Sequence, residues 1–187
     1  MTLKEFSERV ANYCDETEIE SEDNFYTVLG GVLFEIAQRF PEVALVRLDP
    51  SVYSQTTVNM REIVSDFASF SFPPLRVNGV YLPDGCASFD TRLGEIVFHE
   101  AVSGTVEVMY HRAARRMTRN DAEDGTEIPL SDELTELAVL LTAYRLLVID
   151  GDDKAEGVKR LYDEAAARIE MARHGVYAGH RIVDGWI

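Results

Sequence analysis

The residues whose types could support chemistry are two histidines, a cysteine and four closely spaced arginines. His99 and His111 belong to two segments with period-2 alternation, which predict one antiparallel hairpin over residues 94–112 with a turn at Ser103-Gly104. That hairpin would bring the two imidazoles near each other. A zinc site needs three or four ligands at suitable spacing, and the sequence has no CxxC, HxxxH or HExxH motif. We therefore expect both histidines to be structural, with no bound metal.

The sequence also lacks the usual nucleophile and phosphate-binding motifs. There is no P-loop, GxGxxG or GxSxG pattern, and residues 120–131 fail as a calcium loop because Ala122 and Ser131 stand at ligand positions. We expect no enzymatic activity and no cofactor. The alternative is a small cytosolic enzyme or binding module with a site assembled from His99, His111 and Cys86.

A short arginine cluster stands out because the chain is strongly acidic. The sequence has 33 Asp and Glu against 18 Lys and Arg, a net charge of −15. The cluster is either a solvated loop or an ionic contact with an acidic surface of a neighbour, including another copy of this chain. Nucleic acid is a weaker interpretation, because the field of the whole molecule repels phosphate. The cluster consists of Arg112, Arg115, Arg116 and Arg119.

Composition excludes several other classes of protein. The negative charge argues against adsorption to anionic membranes, and the longest apolar stretch, residues 137–149, contains Arg145 and is too short to span a bilayer. Two cysteines make no disulfide framework, and the polar first ten residues predict no secretory signal. We expect a soluble protein made in a reducing cytoplasm.

Apolar spacing predicts four helices. The first contains Leu3 to Tyr13, the second covers residues 21–40, the third runs from Ser131 to Asp150, and the fourth covers residues 152–174. Helices two to four are expected to pack together around a common core. Its predicted members are Leu33, Ile36, Leu137, Leu141, Tyr144, Leu161 and Ile169.

Between the second and third helices the pattern changes to short strands. Asn78-Gly79 is a strong two-residue hairpin signal, and Pro83-Asp84-Gly85 predicts another turn. The C-terminal segment holds three glycines and six large apolar residues, which favours an extended docking arm over a helix. Its expected contact residues are Ile182, Val183, Trp186 and Ile187.

The predicted fold class is therefore α+β: a small helical bundle of about four helices with an inserted antiparallel β module and an extended C-terminal arm. The expected boundaries are residues 1–42 and 128–174 for the helical domain, 43–112 for the β module, 113–127 for a charged loop and 175–187 for the arm.

This layout resembles bacteriophage head–tail connector (adaptor) proteins of the tail tubular protein A-like and connector families. The resemblance rests on AQRFPEV (37–43), RVNGVYLPDG (76–85), EIVFHEAVSGTVEVMYHRAARRMT (95–118), IPLSDELTELAVLLTAYRLL (128–147), and Ala155, Tyr162 and Ala165 in the last helix.

The resemblance implies a structural virion protein located at the neck, and in the host cytoplasm during assembly. Such proteins form a ring of about twelve copies beneath the portal, extend the DNA channel and dock the tail or the next connector or nozzle protein. DNA would pass through without specific binding, because an acidic channel wall repels phosphate. The terminal arm would grip the portal, and no membrane is involved.

Overall fold

The computed structural model describes residues 1–16, 19, 24–48 and 57–183, with side chains as far as residue 173. The chain divides into two compact units. The helical unit combines Met1–Leu33 with Arg116–Ile187, and the β unit is the continuous stretch Phe34–Arg115. Helices and antiparallel sheets are both present, which confirms the predicted α+β class.

The described residues form six helices and seven strands. The helices are α1 (Leu3–Cys14), α2 (Phe25–Arg39), α3 (Met60–Ile63), α4 (Arg119–Glu123), α5 (Asp132–Asp150) and α6 (Ala155–Val183). The strands are β1 (Val43–Arg47), β2 (Thr57–Asn59), β3 (Phe67–Val77), β4 (Val80–Tyr81), β5 (Ala87–Asp90), β6 (Glu95–Phe98) and β7 (Val106–Arg112).

In the helical unit, α5 packs against both α1 and α6. A capping box starts α1, because the Thr2 hydroxyl accepts from the Glu5 amide while the Glu5 carboxylate accepts from the Thr2 amide. Gly151, at φ 71°, ends α5 in the left-handed conformation. Burial on nearly all sides of α5 is why its sequence shows no polar face. Its buried apolar residues are Leu134, Leu137, Ala138, Val139, Leu141, Ala143, Leu146 and Leu147.

The predicted helical core is correct in part. Leu33, Ile36, Leu137, Leu141 and Ile169 are buried, and Tyr144 is half-buried. The prediction for Leu161 is wrong, since this side chain is 47% exposed. The buried stripe of α6 instead follows Ala155, Val158, Tyr162, Ala166 and Ile169. A spacing of three or four residues leaves position 161 beside that stripe.

The β unit holds two antiparallel sheets that share one core. The first has the strand order β1-β7-β3-β4, and the second has the order β2-β6-β5. Alternate residues of β6 and β7 point into the shared core. Its buried residues are Leu48, Val58, Met60, Phe67, Phe70, Leu75, Ile96, Phe98, Val106, Val108 and Tyr110.

The predicted hairpin over residues 94–112 does not form. Strand β6 pairs with β2 and β5, whereas β7 pairs with β1 and β3 in the other sheet. Period-2 alternation correctly indicated which side chains face the core, but it carries no information about which strand is the partner. The seven residues between the two strands cross from one sheet to the other.

The hairpin at Asn78-Gly79 is confirmed. Val77 pairs with Val80 across the turn. Asn78 and Gly79 have positive φ values of 52° and 81°, as both central residues of a type I′ turn require. The Asn78 side chain also reaches the segment before β7, because its Oδ1 accepts from the Thr105 amide at 2.9 Å. The turn at Pro83-Asp84-Gly85 is confirmed by the hydrogen bond from the Cys86 amide to the Pro83 carbonyl.

Two predicted segments without regular structure contain helix. Residues 113–127 include α4, which begins after Thr118 because the Asp121 carboxylate accepts from both the amide and the hydroxyl of Thr118. The expected arm at 175–187 is helical as far as Val183. Two glycines in that stretch lower helix propensity by about 1 kcal/mol each, which is too little to stop a helix already propagating from Ala155 without a proline.

Candidate interaction surface

Arg112, the first of the four arginines, is engaged inside the β unit. Its Nε lies 2.6 Å from Asp66 Oδ2, and the Tyr110 hydroxyl donates to Asp66 Oδ1 at 2.9 Å. The Ala113 amide donates to the Asp66 carbonyl at 2.6 Å. Asp66 therefore joins the start of β3 to the end of β7, and Arg112 acts as a structural cation here.

The electrostatics of this group follow from its contacts. Burial raises the pKa of the Asp66 carboxyl, but the hydrogen bonds from Arg112 and Tyr110 outweigh it and leave that pKa below its ordinary value. Burial and the hydrogen bond to Asp66 raise the pKa of Tyr110 to about 12. The hydrogen bond to Asp66 raises the pKa of Arg112 as well. Each group stabilises the protonation state that the others require at neutral pH.

The other three arginines are exposed, and the boundary between the units falls among them. Arg115 is the last residue of the β unit, and Arg116 is the first residue of the second part of the helical unit. Arg119 begins α4. Met117, 3% exposed, anchors the chain between them. The four arginines predicted as one cluster thus belong to two units, and the helical unit carries Arg116 and Arg119.

The predicted contact residues at the C-terminus are described only in part. Ile182 and Val183 lie in the last turn of α6, and their side chains are outside the described residues. Trp186 and Ile187 lie outside the described residues altogether.

The residues of the alternative site are not brought together as expected. His111 lies in β7, and because Val108 and Tyr110 face the core, its side chain lies on the opposite face of the first sheet. His99 follows β6 in the second sheet and is exposed. Its amide donates to the Cys86 carbonyl at 2.9 Å, so that Cys86 and His99 are cross-strand neighbours. The structure therefore groups Cys86 with His99 and separates both from His111.

In the described part of the chain, no group of three or more His, Cys, Asp or Glu side chains is arranged to hold a metal ion. Within the same residues, no helix has the length and apolar character needed to cross a membrane.

One exposed apolar region of the helical hairpin was not predicted. Val148 and Ile149, near the end of α5, are 52% and 54% exposed, and Leu161 lies on the same end of the hairpin. In the β unit, Phe72 and Val80 are more exposed still, at 74% and 71%. The sequence signal that identifies Leu161 as a surface residue is its position off the buried stripe of α6.

No protein-family model matches the chain, and no curated protein is significantly similar to it. The functional interpretation therefore depends on the residues and the geometry described above.

Proposed function

We propose that this chain is a structural virion protein: a head–tail connector (adaptor) subunit that forms a ring beneath the portal, extends the DNA channel and docks the tail. Its partners are other copies of itself, about twelve in a closed ring, the portal protein, and the tail or the next connector or nozzle protein. Its location is the neck of the virion, and the host cytoplasm during assembly.

One observation carries the proposal. The helical unit is assembled from both ends of the chain, and the continuous β unit, residues 34–115, is inserted between its two parts. This is the order of parts in the connector layout that the sequence resembles. The arrangement of the helices as a four-helix bundle is part of the same proposal, and so is a docking role for the C-terminal residues 175–187.

The charge of the chain suits a channel lining. A net charge of −15 per copy gives a ring a strongly negative potential. Because binding to DNA depends on cations that neutralise phosphates, a negative wall lets the duplex slide without being held.

Loss of the gene tests the function directly. In the phage whose genome encodes the chain, a stop codon early in the gene should leave DNA-filled heads and free tails that do not join. Electron microscopy of the lysate and a plaque assay measure this, and the intact gene on a plasmid should restore tailed particles. Normal tailed particles without the protein would refute a connector role.

A further inference from the structure

An apolar surface lies at the turn end of the α5–α6 hairpin. The turn between the helices has four residues, so α5 and α6 are antiparallel neighbours. Val148 and Ile149 are one to two residues from the end of α5, and Leu161 is about 9 Å into α6 at 1.5 Å per residue. All three side chains are about half exposed. Exposed aliphatic residues grouped at one end of a hairpin suit a contact with another macromolecule.

The chemistry of the partner follows from the charges around this surface. We call residues 150–156 the acidic turn, because they hold four carboxylates and one lysine. That lysine, Lys154, is already paired with Asp15. Among the described residues, Asp150, Asp153 and Glu156 form no ion pair. An apolar surface bordered by unpaired carboxylates fits a partner that presents cations.

The helical unit itself presents such cations. Residues 112–119 hold four arginines and no acid, and Arg116 and Arg119 are the two exposed members in this unit. The buried Met117 and the capping box of Thr118 and Asp121 hold the backbone between and after them. The arginines are thus presented by a fixed backbone, which reduces the entropy lost on binding.

The arginines and the acidic turn lie toward opposite ends of the helical unit. α4, which begins at Arg119, is tied to the start of α1, since the Thr126 amide donates to the Asp121 carbonyl and the Leu3 amide donates to the Thr126 carbonyl. The far end of α1 reaches the acidic turn through the ion pair of Asp15 with Lys154. Between these ends runs α5, whose 19 residues span about 28 Å. The two surfaces of one copy therefore cannot contact each other.

We infer that Arg116 and Arg119 of one copy bind the acidic turn and its apolar border on the next copy. A contact between two different surfaces of identical chains repeats from copy to copy, and it closes into a ring when the rotation allows. The inference rests on the proposed function and adds to it which two surfaces meet. A second copy is the occupant that the complementary charges favour, because the same chain supplies both sides.

A charge swap tests this contact. Arg116→Glu with Arg119→Glu places acid against acid, and Asp153→Lys with Glu156→Lys places base against base. Each double variant should weaken self-association at least about 100-fold, since opposed like charges are strongly unfavourable. The chain carrying all four changes, and an equal mixture of the two double variants, should both recover association. Sedimentation velocity over a concentration series, with native mass measurement, gives the readout.

Two controls keep the test decisive. Arg92→Glu with Arg168→Glu makes the same change of net charge as Arg116→Glu with Arg119→Glu, at two exposed residues that belong to neither surface, and it should leave association unchanged. Circular dichroism checks that each variant keeps its helices. Failure of the four-change chain to recover would overturn the inference, and so would an equal loss in the control.

Disulfide trapping covers the case in which the wild-type chain is a monomer in solution. With Cys14 and Cys86 replaced by Ser, an Arg119→Cys chain mixed with an Asp153→Cys chain should form a disulfide-linked dimer faster than Arg119→Cys mixed with Arg168→Cys. Equal rates would overturn the contact. The two experiments can fail separately. If loss of the gene gives tail-less particles but the four-change chain does not recover association, this contact is refuted and the connector role is not.

Discussion

The two units of this chain build their cores in different ways. The helical unit joins segments from both ends of the chain, and its core is a set of apolar stripes on α1, α5 and α6. The β unit is one continuous stretch, yet its two sheets depend on strand partners that are distant in sequence, such as β1 with β7. Polar contacts at a few positions, above all Asp66 and Asn78, connect those strands.

This difference shows where each unit is vulnerable. In the helical unit, stability comes from the buried area along each stripe, so the cost of a substitution depends on whether the side chain lies on the stripe. In the β unit, a turn and the partly buried Asp66 carboxylate help to determine which strands meet, so polar and backbone changes affect stability there.

The largest effect is expected in the helical unit. Leu141→Ala should lower the free energy of unfolding by about 2–5 kcal/mol, because Leu141 is 4% exposed and its truncation leaves a cavity. The matched control is Leu161→Ala on the neighbouring helix, with an expected change below about 0.5 kcal/mol. Urea unfolding measures both. Similar losses from the two variants would show that burial along the stripe does not determine stability in this unit.

The next effect is in the β unit at Gly104. Its φ is 114°, and a Cβ there would lie 2.4 Å from Asn78 Nδ2. Gly104→Ala should therefore strain the backbone and break the hydrogen bond from the Thr105 amide to Asn78. Together these effects should lower the free energy of unfolding by about 2–3 kcal/mol.

Gly85→Ala is the control, since Gly85 also has positive φ, at 91°, but nothing lies within 4 Å of its Cβ position. Gly85→Ala should therefore lower the free energy of unfolding by about 1–2 kcal/mol, from backbone strain alone. Thermal unfolding of the two variants gives the comparison. If Gly85→Ala is as destabilising as Gly104→Ala, then the contact of Asn78 with the segment at Gly104 and Thr105 does not contribute to stability.

The smallest effect concerns Tyr110 and depends on pH. The folded state raises the pKa of Tyr110 from 10.0 to about 12, so the folded protein holds this proton more tightly than the unfolded chain does. The resulting stability is fully present below pH 10 and is lost as the pH rises through about 12. Tyr110→Phe should cost about 0.5–1.5 kcal/mol at neutral pH and remove part of the alkaline loss.

Tyr13→Phe, at a 38% exposed position, provides the matched control and should change stability by less than about 0.5 kcal/mol. Urea unfolding at several pH values measures both variants. An unchanged alkaline profile in Tyr110→Phe would contradict the role given to this hydroxyl.

The helices were predictable because their signals are local. The bounds of α5 follow from Ser131 and Gly151, and its apolar residues indicate burial on nearly all sides, although Val148 and Ile149 are exposed. The prediction was wrong for Leu161 because a broad apolar face was assumed where the stripe is narrow. It was wrong for residues 175–183 because glycine content was given more weight than propagation from the preceding turns.

The strand partners were not predictable from the sequence. Asn78-Gly79 indicated its own hairpin, since a two-residue turn fixes its neighbours. The Ser103-Gly104 signal between Phe98 and Val106 indicated a hairpin that does not form. Gly104 instead lies beside the Asn78 side chain, 26 residues earlier in the chain, which no local pattern indicates. The four arginines were recognised as unusual, but their division between two units depends on the tertiary fold.

Electron cryomicroscopy of the neck of the virion tests the connector role most directly. The proposed role predicts that virions containing this chain have a closed ring of copies between portal and tail. Each copy should show a helical unit with an inserted two-sheet β unit, arranged around a DNA-sized channel. A complete neck with no density for this chain would contradict the role.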